Sequence, residues 1–336
     1  MRDFETLSYR GQVGRLRSLA ASALAEYPVR PGQLVALAHD ENTTFRVDEL
    51  GGDRFVLRIH RVTGSPFHPP RTPAEIRSEM LWLAALRRDT ELSVPEPIAA
   101  LDGSLVTSAW VEGVPEARTC VLFRWRPGRF LDAGLRPMHL EAVGRFMALM
   151  HDHTVQSHPP RGFERWRIGS ITAETAAYAR DEIDANVGSA AVAVVENTME
   201  LVRRTQEQLG TEVDRFGLIH GDLHQENYFF HDGAVCAIDF DDCGWGWFAY
   251  DLAVPLSELR TRPGYEALRE ALLRGYRTVR PFPADHERHV EAFHALRVLQ
   301  LTLWLIEQQG HPAFRGWESH VRAGLDELAR LSRGLN

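Results

Sequence analysis

Lysine is absent from this sequence of 336 residues, because all 38 residues in the Lys+Arg total are arginine. The absence excludes mechanisms that need a lysine amine, such as a Schiff base or a lysine general base. It also excludes a phosphate-binding loop of the Walker GK[ST] type, in which a lysine contacts the phosphates.

The sequence also has few cysteines, no long apolar run and no excess of positive charge. The three cysteines, Cys120, Cys236 and Cys243, form no CxxC pair, which favours buried free thiols in a reducing compartment. No apolar run approaches the roughly 18 residues of a membrane span, and the first residues lack the apolar centre of a signal peptide. With a net charge of −8 and no basic stripe, the sequence also disfavours a nucleic-acid partner. We expect a cytoplasmic protein that binds neither membranes nor nucleic acid.

Alternation of apolar and polar residues dominates the first third of the chain, which is typical of strands with one buried face. Thr72, Pro73 and Glu75 interrupt it with a capping box and a proline at the first helical position, so a helix should begin there. The predicted helices lie at 12–26 and 72–88, and the predicted strands at 34–38, 45–49, 54–59, 105–110 and 120–125. Arg126-Pro127-Gly128 then breaks the pattern.

Beyond this break helical periodicity dominates, except for one island of short apolar runs. The predicted helices lie at 139–151, 173–209, 265–279, 286–308 and 318–331, and the predicted strands at 216–219, 228–230 and 234–238. Asp232-Gly233 is a hairpin-turn sequence, so the last two strands should pair, and we expect the three strands to form one small sheet. The pattern predicts an α+β fold in three parts: an N-terminal helical extension (1–32), a β-rich lobe (33–125) and a mainly helical lobe (126–336).

Three polar residues stand at the ends of the strands in this island. Asp222 and Asn227 belong to the stretch HGDLHQENYFF, and Asp239 follows the last strand in IDFDD. An amide oxygen and a carboxylate suit Mg²⁺, which takes further ligands from water and substrate phosphates. A separate carboxylate, Asp222, can accept a proton from an attacking hydroxyl. The set predicts a phosphoryl-transfer site, and the alternative is that these residues only form turns.

The signature H-G-D-x-x-x-x-N followed by I-D-F resembles that of the aminoglycoside phosphotransferase and choline kinase superfamily. The longer string FGLIHGDLHQENYFF…AIDFDDCGWGWFAYDLAV is most similar to the branch of type II homoserine kinases, hydroxylysine kinases and bacterial stress-response kinases. The resemblance extends over about residues 34–276. It implies a bilobal, protein-kinase-like fold with one regulatory-type helix in the first lobe and a small catalytic hairpin in the second.

The same resemblance implies roles for five residues of the second lobe. Asp222 would be the catalytic base, and Asn227 and Asp239 would hold Mg²⁺. His220 would pack and orient the catalytic loop, and Asp251, in YDLA, would fix the lobe structurally.

The resemblance also places the nucleotide in the first lobe. The family lysine that contacts the phosphates corresponds here to Arg58, which keeps the charge but has a different reach. The alternative for Arg58 and its expected partner Glu79 is a purely structural ion pair. The phosphate loop, residues 38–45, contains no glycine, so backbone N–H groups and threonine hydroxyls would have to contact phosphate. The expected nucleotide-binding residues are Arg58, Glu79, Thr43, Thr44 and the hinge residues Phe123, Arg124 and Trp125.

Other polar residues near the signature can be interpreted in two ways. Asp241 and Asp242 either bind a second Mg²⁺ or a substrate ammonium, or they only solvate a loop. His220 and His224 have the spacing HxxxH, but a strand end rather than a helix argues against a zinc site. We expect His151, in the stretch HDH, to lie on the surface at a helix end.

These features predict an ATP-dependent kinase that phosphorylates a hydroxyl of a small molecule. The acceptor would be an amino alcohol, a hydroxy-amino acid or an aminoglycoside-like compound. A Ser/Thr protein kinase of the stress-response type remains an alternative, although the sequence contains neither DFG nor APE. The departure at Arg58 and the glycine-free loop leave a third possibility, a non-catalytic nucleotide-binding protein.

Overall fold

The computed structural model describes residues 3–309 and 314–334, and the chain forms two compact units. The first unit contains Met1–Ser65, Pro69–Gly128 and Pro159–Arg165, and the second contains Pro66–His68, Arg129–His158 and Trp166–Asn336. The segments 1–32 and 33–125 both fall almost entirely in the first unit. Among the helices in the described residues, none combines the length and the hydropathy that crossing a bilayer requires.

The first unit is built on an antiparallel sheet of six strands. They are β1 (Pro31–His39), β2 (Thr43–Glu49), β3 (Arg54–Ile59), β4 (Pro97–Ile98), β5 (Thr107–Ala109) and β6 (Arg118–Arg124). The order is β1-β2-β3-β6-β4, and β5 also pairs with β6. Alternate residues of β2 are buried in one core with helix α1 (Tyr9–Leu24). All five predicted strands are therefore present, and only the two-residue β4 was not predicted.

Helix α2 (Pro73–Asp89) begins as the capping signal predicts. The Thr72 hydroxyl accepts a hydrogen bond from the Glu75 backbone N–H (3.2 Å), and the Glu75 carboxylate accepts one from the Thr72 backbone N–H (2.9 Å). Pro73 occupies the first turn, where its missing N–H would have no helical partner. The periodic apolar face is buried, and Glu79 lies on that buried side.

The second unit is mainly helical. Its helices are α3 (Pro137–Gln156), α4 (Ala173–Asn186), α5 (Ser189–Leu209), α6 (Phe248–Ser257), α7 (Tyr265–Arg277), α8 (Glu287–Glu307) and α9 (Trp317–Gly334). The prediction of one helix over 173–209 is wrong, because Gly188 has a φ of +116° and breaks the helical path. Helix α6 was not predicted, since its Pro255 removes a backbone donor from a short segment.

The prediction of one small sheet around the signature is also wrong. Four strands, β7 (Phe216–Ile219), β8 (Tyr228–His231), β9 (Ala234–Ala237) and β10 (Gly244–Trp247), form two separate antiparallel pairs. The hairpin β8–β9 is confirmed, with Asp232 and Gly233 both at positive φ as a two-residue turn requires. Strand β7 instead pairs with β10, whose sequence GWGW has no strand pattern. A Cβ at Gly246 would lie 2.4 Å from Ile219 Cδ1, so a larger residue there would force the Ile219 side chain to move.

Two glycines allow α3 and α7 to pack in direct backbone contact. A Cβ at Gly144 on α3 would lie 1.9 Å from the Leu272 carbonyl oxygen, and a Cβ at Gly275 on α7 would lie 1.9 Å from the Glu141 carbonyl oxygen. Because the obstructing atoms are backbone, neither helix can yield by moving a side chain. This contact therefore depends on the absence of both side chains.

Replacement of these glycines tests the contact. Gly144→Ala should lower the free energy of unfolding by about 1–3 kcal/mol through overpacking, although alanine has the higher helix propensity. Gly14→Ala on α1, where the added Cβ would meet nothing within 4 Å besides the nearby backbone of its own helix, should raise it by about 0.5–1 kcal/mol. Urea denaturation of both variants measures the difference. Stabilisation by both substitutions would contradict the close packing of α3 and α7.

Candidate active site

Asp222 lies on a tight turn that follows β7. The preceding Gly221 has a φ of +82°, a conformation strained for other residues. A Cβ at Gly221 would also lie 2.8 Å from the Asp242 carbonyl oxygen. The glycine of HGD therefore serves both the left-handed backbone and a close approach between two segments of the chain.

The buried carboxylate of Asp251, in the first turn of α6, anchors this turn. Its Oδ1 accepts a hydrogen bond from the Gly221 backbone N–H (2.8 Å), and its Oδ2 accepts one from the His220 backbone N–H (3.2 Å). Oδ2 also accepts from His151 Nε2 at 2.9 Å. The side chain is fully buried, and both of its oxygens are used. Asp251 thus fixes the backbone immediately before Asp222.

His220 connects the turn to the end of β9. Its Nδ1 accepts from the Asp222 backbone N–H (3.3 Å), so Nε2 carries the proton and donates to the Ile238 carbonyl oxygen at 2.9 Å. Burial lowers the pKa of His220 and outweighs the nearby carboxylates, which keeps the ring in this neutral form. The bond joins the loop after β7 to the hairpin that carries Asp239, although β7 and β9 belong to different sheets.

Asn227 stands beside Asp222, just before β8. Its Nδ2 donates to the Asp222 carbonyl oxygen (2.8 Å) and to Asp222 Oδ2 (2.9 Å). Both neighbours are acceptors, so the amide nitrogen must face them and the amide oxygen is left for another ligand. The Asn227 backbone oxygen accepts from the Ile238 N–H at 2.9 Å, and Asp239 is the next residue.

Asp239 is exposed and has the left-handed backbone conformation φ 58°, ψ 66°. This conformation is uncommon outside glycine and concentrates at functional sites. An amide oxygen and a carboxylate fit a hard divalent cation that keeps water and phosphate ligands. Among residues 3–309 and 314–334, no three His, Cys, Asp or Glu side chains are grouped to hold a metal ion. Asn227 and Asp239 are therefore the residues that could hold Mg²⁺ together with phosphate.

Asp241 and Asp242 lie in a single 3₁₀ turn after Asp239. Asp241 is buried, and Asp242 uses its backbone oxygen to accept from Trp166 Nε1 at 3.1 Å. That same oxygen is the atom closest to Gly221. The backbone of this turn supports the Asp222 loop, and a role for the two carboxylates in binding a metal or an ammonium stays a prediction.

A cluster of alternating charges surrounds the Asp222 carboxylate. Arg297, on α8, donates from Nη2 to Asp222 Oδ1, and His224 Nε2 lies 3.5 Å from Oδ2. His224 Nδ1 in turn lies 3.0 Å from Glu258 Oε1. Burial opposes ionisation of Asp222, but Arg297 and His224 outweigh it and hold its pKa well below the usual range. Burial likewise opposes charge on His224, but Asp222 and Glu258 raise its pKa to about 10.

Two residues of this region were missed or misplaced from sequence. The prediction that His151 lies on the surface is wrong, because α3 continues to Gln156 and the ring is fully buried between Asp251 and Tyr276. Arg297 was not singled out. The available signal was its position as the only Asp, Glu, Lys or Arg between Glu291 and Glu307, in a helix that is largely buried over that stretch.

In the first unit, Arg58 on β3 and Glu79 on α2 are in direct contact. Arg58 Nη2 lies 2.7 Å from Glu79 Oε1 and 2.6 Å from Oε2. The exposed fractions of the side chains are 4% and 0%. The Arg58 guanidinium also donates from Nε to His60 Nε2 (3.3 Å) and lies over the Phe123 ring. The predicted partners meet, and their role in binding a nucleotide stays a prediction.

The other residues expected to bind nucleotide are held largely by the sheet. Strand β1 continues to His39 and β2 begins at Thr43, so the loop between them is shorter than predicted. The buried Thr43 hydroxyl lies 2.7 Å from His39 Nδ1, and Thr44 is paired with Arg58 across β2 and β3. At the hinge, the backbone N–H groups of Arg124 and Trp125 donate to the carbonyl oxygens of Glu96 and Arg54. These two donors are therefore already used within the first unit.

A family model described as "Phosphotransferase enzyme family" matches residues 34–291. The match covers most of the chain, including Arg58 and all of the Asp222 loop. The chain belongs to this phosphotransferase family.

Named relatives support the same family. A homoserine kinase of Gluconacetobacter diazotrophicus is 30% identical over 74% of this chain and 72% of its own length. An amicoumacin kinase of Bacillus subtilis is 26% identical over 70% of this chain and 66% of its own length. The structure of a microcompartment-associated aminopropanol kinase has a TM-score of 0.79 and 30% identity, and covers 95% of this chain and 97% of that one. The predicted superfamily, the α+β kinase-like fold and the kinase class of this phosphotransferase are confirmed.

The anchor of the turn that carries Asp222 can be tested with Asp251→Asn. Both Asp251 oxygens accept N–H groups, so either orientation of an amide would turn an NH₂ group towards a donor. We expect the free energy of unfolding to fall by about 3 kcal/mol or more, measured by urea denaturation. The control Asp232→Asn, in the exposed hairpin turn that suits either residue, should change it by less than about 0.5 kcal/mol. Equal effects of the two substitutions would show that Asp251 is no anchor.

Proposed function

We propose that this phosphotransferase transfers the γ-phosphoryl group of ATP to a hydroxyl of a small molecule. The observation that carries the proposal is Asp222 held beside Asn227 by two hydrogen bonds, one to its backbone oxygen and one to its carboxylate, next to the hairpin that ends at Asp239. Homoserine and aminopropanol, named for two relatives, are both small molecules with an alcohol group. Their chemistry supports an alcohol acceptor for this chain.

In the proposed reaction, the acceptor oxygen bonds to the γ-phosphorus while the bond to the β–γ bridging oxygen breaks. ADP leaves with that electron pair, and the hydroxyl proton passes to the Asp222 carboxylate. Arg297 and Asn227 hold one Asp222 oxygen each, so the carboxylate is oriented before the acceptor binds. Mg²⁺ held by Asn227 and Asp239 would neutralise charge on the phosphates when bound.

We propose that the first unit binds the nucleotide chiefly through Arg58, because the hinge N–H groups and the Thr43 hydroxyl already have partners. In the absence of lysine, the Arg58 guanidinium supplies the positive charge for phosphate, and Glu79 fixes its position.

We further propose that the enzyme works in the cytoplasm. The three cysteines are buried and free, as expected for a reducing compartment. Burial raises the pKa of Cys120 to about 12, so this thiol is unreactive near neutral pH.

Asp222→Asn tests the proposed base. Turnover should fall about 10²- to 10⁴-fold, whereas affinity for Mg·ATP should stay within about threefold, because phosphate binding is assigned to other residues. ADP formation with a panel of hydroxylated metabolites, amino acids and aminoglycosides measures turnover. Calorimetric titration measures the affinity for Mg·ATP. Asp285→Asn, at an exposed position, is the matched control. Undiminished turnover of the Asp222 variant, or transfer of radiolabel to proteins instead of metabolites, would contradict the proposal.

A double variant distinguishes the proposed role of Arg58 in nucleotide binding from its role in the ion pair with Glu79. Arg58→Met alone leaves the Glu79 carboxylate buried without this partner and should cost about 3–5 kcal/mol of unfolding free energy. Arg58→Met with Glu79→Leu should recover most of that loss in urea denaturation, since no buried charge remains. Affinity for Mg·ATP should stay at least about tenfold below wild type in the double variant. Recovery of both quantities together would assign Arg58 a structural role only.

A further inference from the structure

Arg297 contacts Asp222 and has further donors available. The pair with Asp222 is the only hydrogen bond or ion pair that Arg297 makes within residues 3–309 and 314–334. A guanidinium has five N–H donors in a planar fork, so the remaining ones can bind another planar anion. The side chain keeps 11% of its surface exposed and is therefore not sealed in the core. These donors lie beside the Asp222 carboxylate, which the acceptor hydroxyl must reach in the proposed reaction.

Glu258, at the end of α6, provides the opposite charge in the same cluster. Its Oε1 lies 3.0 Å from His224 Nδ1, and its side chain is 36% exposed. In the part of the chain that the structure describes, His224 is its only hydrogen-bond or ion-pair partner. The second oxygen, Oε2, can therefore receive a cation from solvent.

Arg297 and Glu258 carry opposite charges within one cluster. Arg297 contacts the Asp222 carboxylate, and Glu258 is connected to the same carboxylate through His224. Burial opposes ionisation of Glu258, but His224 and Arg297 lower its pKa. A cationic group and an anionic group beside one carboxylate complement a molecule that carries both charges.

We propose that Arg297 and Glu258 form an acceptor subsite for a hydroxy-amino acid. Arg297 binds the carboxylate, Glu258 binds the ammonium and Asp222 receives the hydroxyl. The inference rests on the proposed function, and it makes the acceptor a zwitterion instead of an amino alcohol or an aminoglycoside. Asp222 is the catalytic residue, and Arg297 and Glu258 determine specificity.

Matched acceptors that differ only in the carboxylate test the subsite on the full chain with Mg·ATP. The pairs are L-homoserine and 3-aminopropan-1-ol, L-threonine and 1-aminopropan-2-ol, and L-serine and ethanolamine. For the pair that contains the best acceptor, kcat/KM from ADP formation should favour the amino acid by about 10- to 100-fold, the usual worth of a hydrogen bond to a charged group. 4-Hydroxybutanoate, which lacks the ammonium of homoserine, tests Glu258 in the same way.

Variants identify the side chains that provide this selectivity. In Arg297→Gln, the ratio of amino acid to amino alcohol should fall towards one. In Glu258→Gln, the ratio of homoserine to 4-hydroxybutanoate should fall instead. The ratio is decisive because a general loss of Asp222 positioning lowers both members of a pair equally. Arg288→Gln, at an exposed position of the same helix, should leave every ratio unchanged.

The outcomes separate this inference from the function on which it rests. If amino alcohols or aminoglycosides are phosphorylated in preference to the amino acids, the proposed subsite is wrong, but the proposed kinase function stands. An amino-acid preference that survives Arg297→Gln would overturn the role of Arg297. ADP formation with none of these acceptors, in a protein that still binds Mg·ATP, would overturn the proposed function and the subsite together.

Discussion

The buried carboxylate of Asp251 is the constraint on which the geometry of the candidate site depends. A buried charge is costly unless hydrogen bonds replace its hydration, and here two backbone N–H groups and a histidine ring do so. Those backbone groups belong to His220 and Gly221, the two residues before Asp222. The same hydrogen bonds therefore satisfy the charge of Asp251 and position the turn before Asp222. A carboxylate early in a helix also interacts favourably with the helix dipole.

The Asp251 anchor is important because the pairs β7–β10 and β8–β9 are separate sheets. Asp222 follows β7 and Asp239 follows β9, and these strands share no ladder. Backbone pairing therefore does not fix the proposed base, Asp222, relative to Asp239. The connections are polar contacts: His220 to the Ile238 carbonyl and Asn227 to Asp222. Such contacts are directional and fail when one partner is changed, so this arrangement is sensitive to single polar substitutions that a ladder would tolerate.

The sequence predicted best what is local. The capping box at Thr72 and the hairpin at Asp232-Gly233 each depend on residues a few positions apart, and both formed as expected. The pairing of β7 with β10, the burial of His151 and the contact of Arg297 with Asp222 were missed. His151 is 100 residues from Asp251, and Arg297 is 75 residues from Asp222. Periodicity and turn chemistry contain no information about such pairs, because packing of whole helices brings them together. The contact of Arg58 with Glu79 was expected only because of a family resemblance.

The environment of Asp222 constrains how it can act in the proposed reaction. A carboxylate whose pKa is held below its usual range by Arg297 is a poor acceptor for a proton from an alcohol. Phosphoryl transfer tolerates this, because its loose transition state has little bond formation to the attacking oxygen and the hydroxyl gives up its proton late. The larger contribution is then orientation of the hydroxyl towards phosphorus. A carboxylate held by Arg297 on one oxygen and Asn227 on the other suits that task better than a stronger base on a mobile side chain.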